Sequence, residues 1–191
     1  MYNKMEEKLF SIIIPDIHHK VIQPSPKNVD VLYFDGCSKG NPGPSGIGAV
    51  LYKNKIETWS DSRYIGNKRT NNEAEYCALI MGLENAIRSN IKKLSVCGDS
   101  LLVINQVNGV YKVKHINLLP LYERVIELKT QFTHIDFTHV YRNDNKRADQ
   151  LSNIALEVIN RELYDNLVKD NITDDNKLVK HSFLPSINVK K

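Results

Sequence analysis

Cysteine is scarce in this chain of 191 residues, and its three copies show no paired spacing. The absence of a CxxC motif and of an even cysteine set argues against a disulfide framework and against a cysteine-rich zinc site. Cys37, Cys77 and Cys97 are therefore expected to be reduced thiols. This expectation favours an intracellular, reducing compartment such as the cytoplasm or the nucleus.

Long hydrophobic runs are also missing. The longest run near the start, Phe10 to Ile14, is far shorter than the roughly 20 residues that span a bilayer. Glu6 and Glu7 precede it, and there is no small-residue cleavage pattern, which argues against a secretory signal or a transit peptide. We therefore expect no membrane partner.

The composition is that of a soluble globular protein, with 41% hydrophobic and 25% charged residues. A Pro/Ser-rich stretch, QPSPKN, ends residues 1–28, which we interpret as an N-terminal arm and linker. Residues 29–160 have the pattern of one folded domain. Residues 161–191 extend the last helix and then become polar and turn-rich, which predicts a mobile tail beyond about Lys169.

Hydrophobic periodicity predicts an α/β fold. Five segments are typical of strands: VDVLYFD, GIGAVLYK, IETWSDSRYI, KKLSVCGDS and HIDFTHVY. Helical spacing follows in residues 71–89, 101–108, 118–128 and 145–163. We predict a five-stranded mixed sheet flanked by helices, because the first three strands follow one another directly and the last two arrive through helical crossovers. The first three strands would be antiparallel, and the fourth and fifth parallel to the first.

Four carboxylates occupy positions next to predicted buried surface. Asp35 ends the first predicted strand and Asp99 the fourth, and ligands gather where parallel strands end. Glu75 lies on the core-facing stripe of its helix, four residues before Leu79. Asp149 lies at the start of the last helix, beside its apolar face. We expect these four side chains to converge.

Each acid alone has an ordinary explanation, such as a turn, a helix start or an ion pair. Converging carboxylates, however, repel one another and are costly to desolvate unless a cation holds them. Oxygen-only ligands without a His/Cys cluster favour Mg²⁺, or alternatively Mn²⁺, over Zn²⁺. A site with two such ions suits hydrolysis of a phosphodiester. Neutralising these acids would also leave the chain, whose formal charge is +4, with a basic face for phosphates.

Four motifs occur in order along the chain: DGCSKGNPGPSG, TNNEAEYCALIMGL, VCGDSLLVINQVNG and NDNKRADQLS. Together they resemble type 1 ribonuclease H, the family that cuts the RNA strand of RNA–DNA hybrids, over roughly residues 29–157. The resemblance implies a ribonuclease-H-like fold with residues 29–160 as the catalytic domain. It also implies that Asp35, Glu75, Asp99 and Asp149 are the catalytic, metal-binding acids.

The resemblance implies contacts with an RNA–DNA hybrid as well. Asn41, Asn71 and Asn72 match positions that contact the RNA minor groove, where a protein can recognise the 2′-OH. Thr70, with Lys68 nearby, matches part of a pocket for a phosphate of the DNA strand. Turn and helix-cap chemistry explains Asn41 and Asn71 equally well, and a solvated surface charge explains Lys68.

The sequence departs from the family pattern in two places. Many members have a histidine shortly before the last acid, whereas HVYRNDNKRAD places Arg142 in that region and His139 in a predicted strand. Arginine does not exchange protons at neutral pH, so its contribution would be electrostatic. The basic handle of some members is reduced to NGVYKVKHIN. Lys112 and Lys114 would contact the hybrid backbone there, or belong to a plain solvated loop.

The sequence therefore favours a monomeric, Mg²⁺-dependent endonuclease acting on the RNA of hybrids. Two alternatives stay open. Arg142 and the short handle are compatible with a related nuclease that also cuts double-stranded RNA or RNA–DNA junctions. A nucleic-acid-binding module that keeps the fold without chemistry is the other alternative, which four costly acids argue against.

Overall fold

The computed structural model describes the backbone of residues 29–173 and, except at residue 160 and residues 162–173, their side chains. The predicted arm at residues 1–28 and the part of the predicted tail beyond residue 173 lie outside this range. None of the helices in the described range has the length and apolarity that crossing a membrane requires.

The described range contains five strands, four α-helices and one short 3-10 turn. In chain order they are β1 (Asp30–Ser38), β2 (Ser45–Lys53), β3 (Ile56–Tyr64), α1 (Asn71–Arg88), β4 (Lys93–Gly98), α2 (Leu101–Val107), α3 (Leu119–Lys129), β5 (His134–His139), the 3-10 turn (Arg142–Asp144) and α4 (Lys146–Thr173).

The strands form one mixed sheet in the order β3-β2-β1-β4-β5. β1, β2 and β3 are antiparallel, whereas β4 and β5 run parallel to β1, so the predicted topology is confirmed. Asn54 and Lys55 close the β2–β3 hairpin with φ values of 52° and 67°. A two-residue hairpin turn with positive φ at both positions matches the right-handed twist of the strands.

The main hydrophobic core lies between one face of the sheet and helices α1, α2 and α3. Leu32 and Phe34 of β1 alternate toward this face and are fully buried, as are Leu79 and Leu83 of α1. Burying each such side chain contributes about 1.5–3 kcal/mol to the hydrophobic term of folding. This core fixes the position of α1 across β1.

A smaller cluster lies on the opposite face, where α4 covers part of the sheet. Val50 of β2 packs there against Ala148 and Leu151, with Tyr33 and Tyr52 at its edge. Because side chains alternate along a strand, Asp35 shares this face with Tyr33. The first turns of α4 therefore lie over the β1 acid.

The first strand is longer than predicted. The sequence pattern ended it at Asp35 and began the turn at Gly36, but β1 continues to Ser38. The reason is that β2 remains paired with it down to Ser38 and Ser45, whereas pairing with β4 ends at Phe34 and Gly98. Asp35 thus lies where β1 loses its parallel neighbour, and the tight loop comprises residues 39–44.

Candidate active site

Three of the four predicted acids converge in a compact group. Asp35, Glu75 and Asp99 each offer a carboxylate oxygen, and these oxygens lie within 4.8 Å of one another. Asp35 and Glu75 are each only 5% exposed, and Asp99 is partly buried. The three residues come from β1, from α1 and from the residue after β4, so distant parts of the chain build the group.

The register of the parallel strands places Asp35 beside Asp99. Phe34 pairs with Gly98 in the last rung between β1 and β4, and Asp35 and Asp99 are the residues that directly follow these two. His139 Nε2, on the final residue of β5, lies 3.2 Å from the backbone oxygen of Asp99. His139 is thus a strand residue, as predicted, and it contacts the backbone of an acid.

Two glycines allow both neighbouring helices to approach the hairpin closely. A Cβ on Gly36 would lie 2.2 Å from the backbone nitrogen of Glu75, and a Cβ on Gly48 would lie 2.5 Å from the carbonyl oxygen of Ala148. Such contacts are sterically impossible, so any larger residue would force the helix away. Glycine is therefore what lets α1 and α4 bring their acids to β1.

Burial, together with the neighbouring negative charges, raises the pKa of Asp35 and of Glu75. Burial raises the pKa of Asp35 to about 6, with the charges of Asp99 and Asp149 adding to the effect and a hydrogen bond from Ser152 opposing it. Burial likewise raises the pKa of Glu75 well above its usual range, and the charges of Asp35 and Asp99 add to it. Ionising these two acids without a cation is therefore costly, and the charge of Arg142 offsets only part of that cost.

Glu75 also has a polar atom without a partner. Its Oε2 is buried and receives no hydrogen bond from the described residues. Leaving a buried acceptor unsatisfied costs about 1–3 kcal/mol, and more for a charged group. An orphaned carboxylate oxygen inside a cluster of acids fits the coordination of a divalent cation by oxygen ligands.

Asp149 lies at the rim of this group. Its side chain is 26% exposed and accepts a hydrogen bond from the guanidinium of Arg142, which is 73% exposed on the 3-10 turn. The Asp149 carboxylate raises the pKa of Arg142 further above its usual range, so the arginine stays charged. The structure therefore brings both predicted residues to the site, with Asp149 outside the tight group of three.

Two residues that were not predicted connect the acids to the scaffold. Asn145 is 1% exposed, and its Nδ2 donates to the carbonyl oxygen of Phe34 at 2.9 Å and to Asp99 Oδ1 at 3.0 Å. Ser152 is fully buried and donates its hydroxyl to the carboxylate of Asp35. Both lie within four residues of Asp149, which is the sequence signal that could have indicated them.

A cleft of about 360 Å³ gathers most of the residues predicted to contact nucleic acid, namely Asn41, Thr70, Asn72, Lys112 and Lys114. Asn71 is exposed beside it, and its backbone N–H donates to Asn41 Oδ1 at 3.0 Å. Lys68 is exposed but does not line this cleft. The loop after β1, the start of α1 and the segment after α2 thus form one surface.

Thr70 and the asparagines have structural roles in this surface. Thr70 is the N-cap of α1 and forms a capping box with Glu73. Asn71 Oδ1 accepts from the backbone of Ser38 at 3.3 Å, and together with the Asn41 contact this fastens the loop to the helix. The predicted turn and cap chemistry is present, and it leaves other polar atoms of these side chains available to a ligand.

Gln106 supports the opposite wall of the cleft. Its Oε1 accepts from the buried hydroxyl of Tyr76 at 2.9 Å, and its Nε2 donates to the carbonyl oxygen of Lys112 at 3.5 Å. Tyr76 directly follows Glu75 on α1. The segment with Lys112 is thereby connected to the helix that carries a catalytic candidate.

The chain matches a family model described as Reverse transcriptase-like over residues 33–155. Ribonuclease HI of Halobacterium salinarum is 39% identical to it over 137 residues, which cover 72% of this chain and 69% of that protein. The chain belongs to the type 1 ribonuclease H family. The sequence resemblance is thereby confirmed.

Other members of the ribonuclease H family are similar over the same region. The bifunctional protein Rv2228c of Mycobacterium tuberculosis is 41% identical over 128 residues, which cover 66% of this chain but 35% of that protein. This chain thus spans about a third of the length of that relative. The crystal structure of LC11-RNase H1 in complex with an RNA/DNA hybrid is 36% identical, with a TM-score of 0.64, and covers 68% of this chain and 98% of that one.

Proposed function

We propose that this chain is an endonuclease that hydrolyses the RNA strand of RNA–DNA hybrids, with residues 29–160 as its catalytic domain. The observation that carries the proposal is the convergence of Asp35, Glu75 and Asp99 within 4.8 Å, with Asp149 at the rim. Membership of the ribonuclease H family and the hybrid bound by LC11-RNase H1 support the substrate. The chain is proposed to act as a monomer in a reducing compartment, where its free cysteines are stable.

The donor set fits divalent cations. It consists of oxygen atoms only, it includes an orphaned carboxylate oxygen of Glu75, and its charges are mutually repulsive. We propose that Asp35, Glu75, Asp99 and Asp149 hold two Mg²⁺ ions, with Mn²⁺ as the alternative. Such ions, when bound, activate water for attack on a phosphodiester and stabilise the leaving oxygen.

The protein groups around the acids orient them and add charge. Asn145 Nδ2 donates to Asp99 Oδ1 and also to the carbonyl oxygen of Phe34 on β1, so it holds Asp99 against that strand. Arg142 stays protonated, so its role is electrostatic stabilisation of the scissile phosphate or of the leaving group and not proton transfer. Movement of this exposed side chain from Asp149 to a phosphate would add a positive charge where negative charge develops.

The cleft supplies substrate recognition in this proposal. Asn41, Asn71 and Asn72 would bind the RNA in the minor groove, where a hydrogen bond to the 2′-OH separates RNA from DNA. Thr70, with Lys68 nearby, would bind a phosphate of the DNA strand. Lys112 and Lys114 would contact the hybrid backbone, which positions the substrate and carries no sequence information.

The decisive experiment is cleavage of a hybrid labelled separately on each strand, with Mg²⁺ and in parallel with Mn²⁺. The expected result is internal cuts in the RNA strand alone, loss of cleavage in EDTA and loss of cleavage in Asp99→Asn. Asp136→Asn on β5 removes an acid outside the group and is the matched control, with activity retained. Cleavage of the DNA strand, or no cleavage by the wild-type chain, would contradict the proposal.

A broader duplex preference is the second candidate function. Arg142 pairs with Asp149 at the position where many members carry a histidine, and no helix forms in residues 108–118 between α2 and α3. Comparing the hybrid with double-stranded RNA and with a single RNA–DNA junction decides between the two. Equal rates on hybrid and double-stranded RNA would favour the broader enzyme.

A non-catalytic binding module is the third candidate, and the compact acidic group argues against it. A module that only binds nucleic acid gains nothing from three carboxylates held within 4.8 Å of one another, because they repel its ligand. Retained hybrid binding, with metal affinity equal in the wild type and in Asp99→Asn, would support this module.

A further inference from the structure

Ser152 has a position that distinguishes it from the other polar residues of α4. It lies on the second turn of the helix, fully buried, and its hydroxyl oxygen is in hydrogen-bond contact with two acceptors. One is Oδ2 of Asp35, and the other is the backbone carbonyl of Asp149 at 2.9 Å. The hydroxyl carries a single proton, so it can donate fully to only one of them.

The two acceptors differ in how much they depend on this proton. The carbonyl of Asp149 also accepts from Asn153 Nδ2 at 2.8 Å, and is therefore served without Ser152. The carboxylate of Asp35 receives no other hydrogen bond from the described side chains. A buried carboxylate gains more from a donor than a carbonyl that is already satisfied, which directs the proton to Asp35.

The position of the hydroxyl is fixed by the backbone around it. A Cβ on Gly46 would lie 2.2 Å from the carbonyl oxygen of Ser152, and one on Gly48 would lie 2.5 Å from its nitrogen. The backbone of Ser152 thus rests directly on β2, and Gly48 is the residue paired with Asp35. The donor and the carboxylate are therefore held by the same pair of strands.

We propose that Ser152 is the positioning residue for Asp35, holding Oδ2 so that Oδ1 is directed to a divalent cation. This role rests on the proposed function, because it assumes that Asp35 binds metal. The geometry separates the two oxygens of the carboxylate into one that the protein holds and one that it leaves free. Mutation of a residue that orients a metal ligand in this way typically lowers metal affinity or activity about 10–100-fold.

The test compares Ser152→Ala with Asn153→Ala in the full chain. Both variants remove a polar side-chain contact to the carbonyl of Asp149, but only Ser152→Ala removes the donor of Asp35. Titration calorimetry with MnCl₂ is expected to show affinity weakened about 10-fold or more in Ser152→Ala and unchanged in Asn153→Ala. In cleavage assays, Ser152→Ala should need more Mg²⁺ for half-maximal rate, with the KM for the hybrid unchanged.

A double-mutant cycle with Asp35→Asn distinguishes positioning of Asp35 by Ser152 from a general contribution of Ser152 to the stability of α4. In an Asp35→Asn background, Ser152→Ala should no longer alter the remaining Mn²⁺ affinity, because the carboxylate it serves is gone. Equal Mn²⁺ affinity in the wild type, Ser152→Ala and Asn153→Ala would overturn the role of Ser152 alone. A wild-type chain that binds no Mn²⁺ would overturn the proposed function and this role together. Circular dichroism of each variant confirms that the fold is retained before affinities are compared.

Discussion

At the scale of single residues, burial of the acids and repulsion between them oppose folding of the metal-free protein. Asp35 and Glu75 are buried side by side, and both hold protons more tightly than ordinary carboxyls. A folded-state pKa above the unfolded value means that folding is favoured by protonation. The site should therefore lower the stability of the metal-free chain at neutral pH, and cation binding should restore it.

Asp35→Asn is expected to stabilise the metal-free chain while abolishing cleavage. Asp35 titrates near pH 6 when folded and at its ordinary value of 3.8 otherwise, so wild-type stability falls as pH rises through this window. At pH 7 the variant should be roughly 2–3 kcal/mol more stable, since each pKa unit is worth about 1.4 kcal/mol. Urea unfolding in EDTA at pH 7 and at pH 4 measures the difference.

The pH dependence makes this prediction specific. The gain should shrink to roughly 0.5 kcal/mol at pH 4, because folded Asp35 is then almost fully protonated and unfolded Asp35, with its ordinary pKa of 3.8, is about 40% protonated. Asp30→Asn, at the opposite end of β1, makes the same charge change away from the group and should lack this pH dependence. A gain of the same size at pH 4 and pH 7 would show that repulsion at Asp35 is not its cause.

At the scale of the elements, the site depends on how closely two helices approach one hairpin. α1 touches β1 at Gly36, and α4 touches β2 at Gly48, in each case through backbone atoms. Main-chain contacts of this kind do not adapt by a change of rotamer, unlike contacts between side chains. The separation of the acids on β1 and α1 is therefore sensitive to a single methyl group.

Gly36→Ala is expected to damage both the fold and the site. The added methyl would lie 2.2 Å from backbone atoms of Ala74 and Glu75, so α1 must shift away from β1, which costs about 1–3 kcal/mol or more. Glu75 would move with the helix, and affinity for Mn²⁺ should fall. Thermal unfolding and calorimetry measure the two effects.

Gly66→Ala is the matched control for this substitution. Gly66 has a φ of 108° but no atom within 4 Å of its Cβ position, so alanine there strains the backbone without moving α1. It should lower stability and leave Mn²⁺ affinity intact. If Gly36→Ala bound Mn²⁺ as the wild type does, the contact at Gly36 would not set the position of Glu75.

The sequence predicted the elements more completely than it predicted the contacts between them. Element positions follow from local periodicity, and strand orientations follow from the connections between strands. Together they place Asp35 and Asp99 at the same end of the sheet. Asn145 and Ser152 were missed because each bonds to β1 across more than 110 residues of chain, which no local pattern records. The extra length of β1 was missed because pairing with β2, not composition, maintains it.

At the scale of the whole molecule, the proposed catalytic acids lie near the carboxyl-terminal ends of β1 and β4. The acids lie there, and the cleft with Lys112 and Lys114 is built beside them from the start of α1 and the segment after α2. The amino-terminal end of β4 carries two further exposed lysines, Lys92 and Lys93. Lys112 and Lys114 thus line the cleft, whereas Lys92 and Lys93 lie at the start of β4 and outside it.

Substituting Lys112 and Lys114 together by alanine is expected to weaken hybrid binding without a change in kcat. Loss of the two proposed phosphate contacts should raise KM and reduce the magnitude of the slope of log K against log salt by about 2. Lys92→Ala with Lys93→Ala removes the same charge at the far end of β4 and should leave this slope unchanged. Kinetics at several salt concentrations measure both pairs, and equal effects would indicate that only net charge matters.

The point where the pairing between β1 and β4 ends determines how far apart Asp35 and Asp99 lie. The pairing of the two strands ends at Phe34 and Gly98. The backbones of the acids that follow, Asp35 and Asp99, are therefore separated by about the distance between neighbouring strands, roughly 4.8 Å. Main-chain hydrogen bonds set that spacing, and the core side chain at this last pair is Phe34, whose ring covers Gly98. Substitutions elsewhere in the hydrophobic core should therefore lower stability while the separation of these two acids is retained.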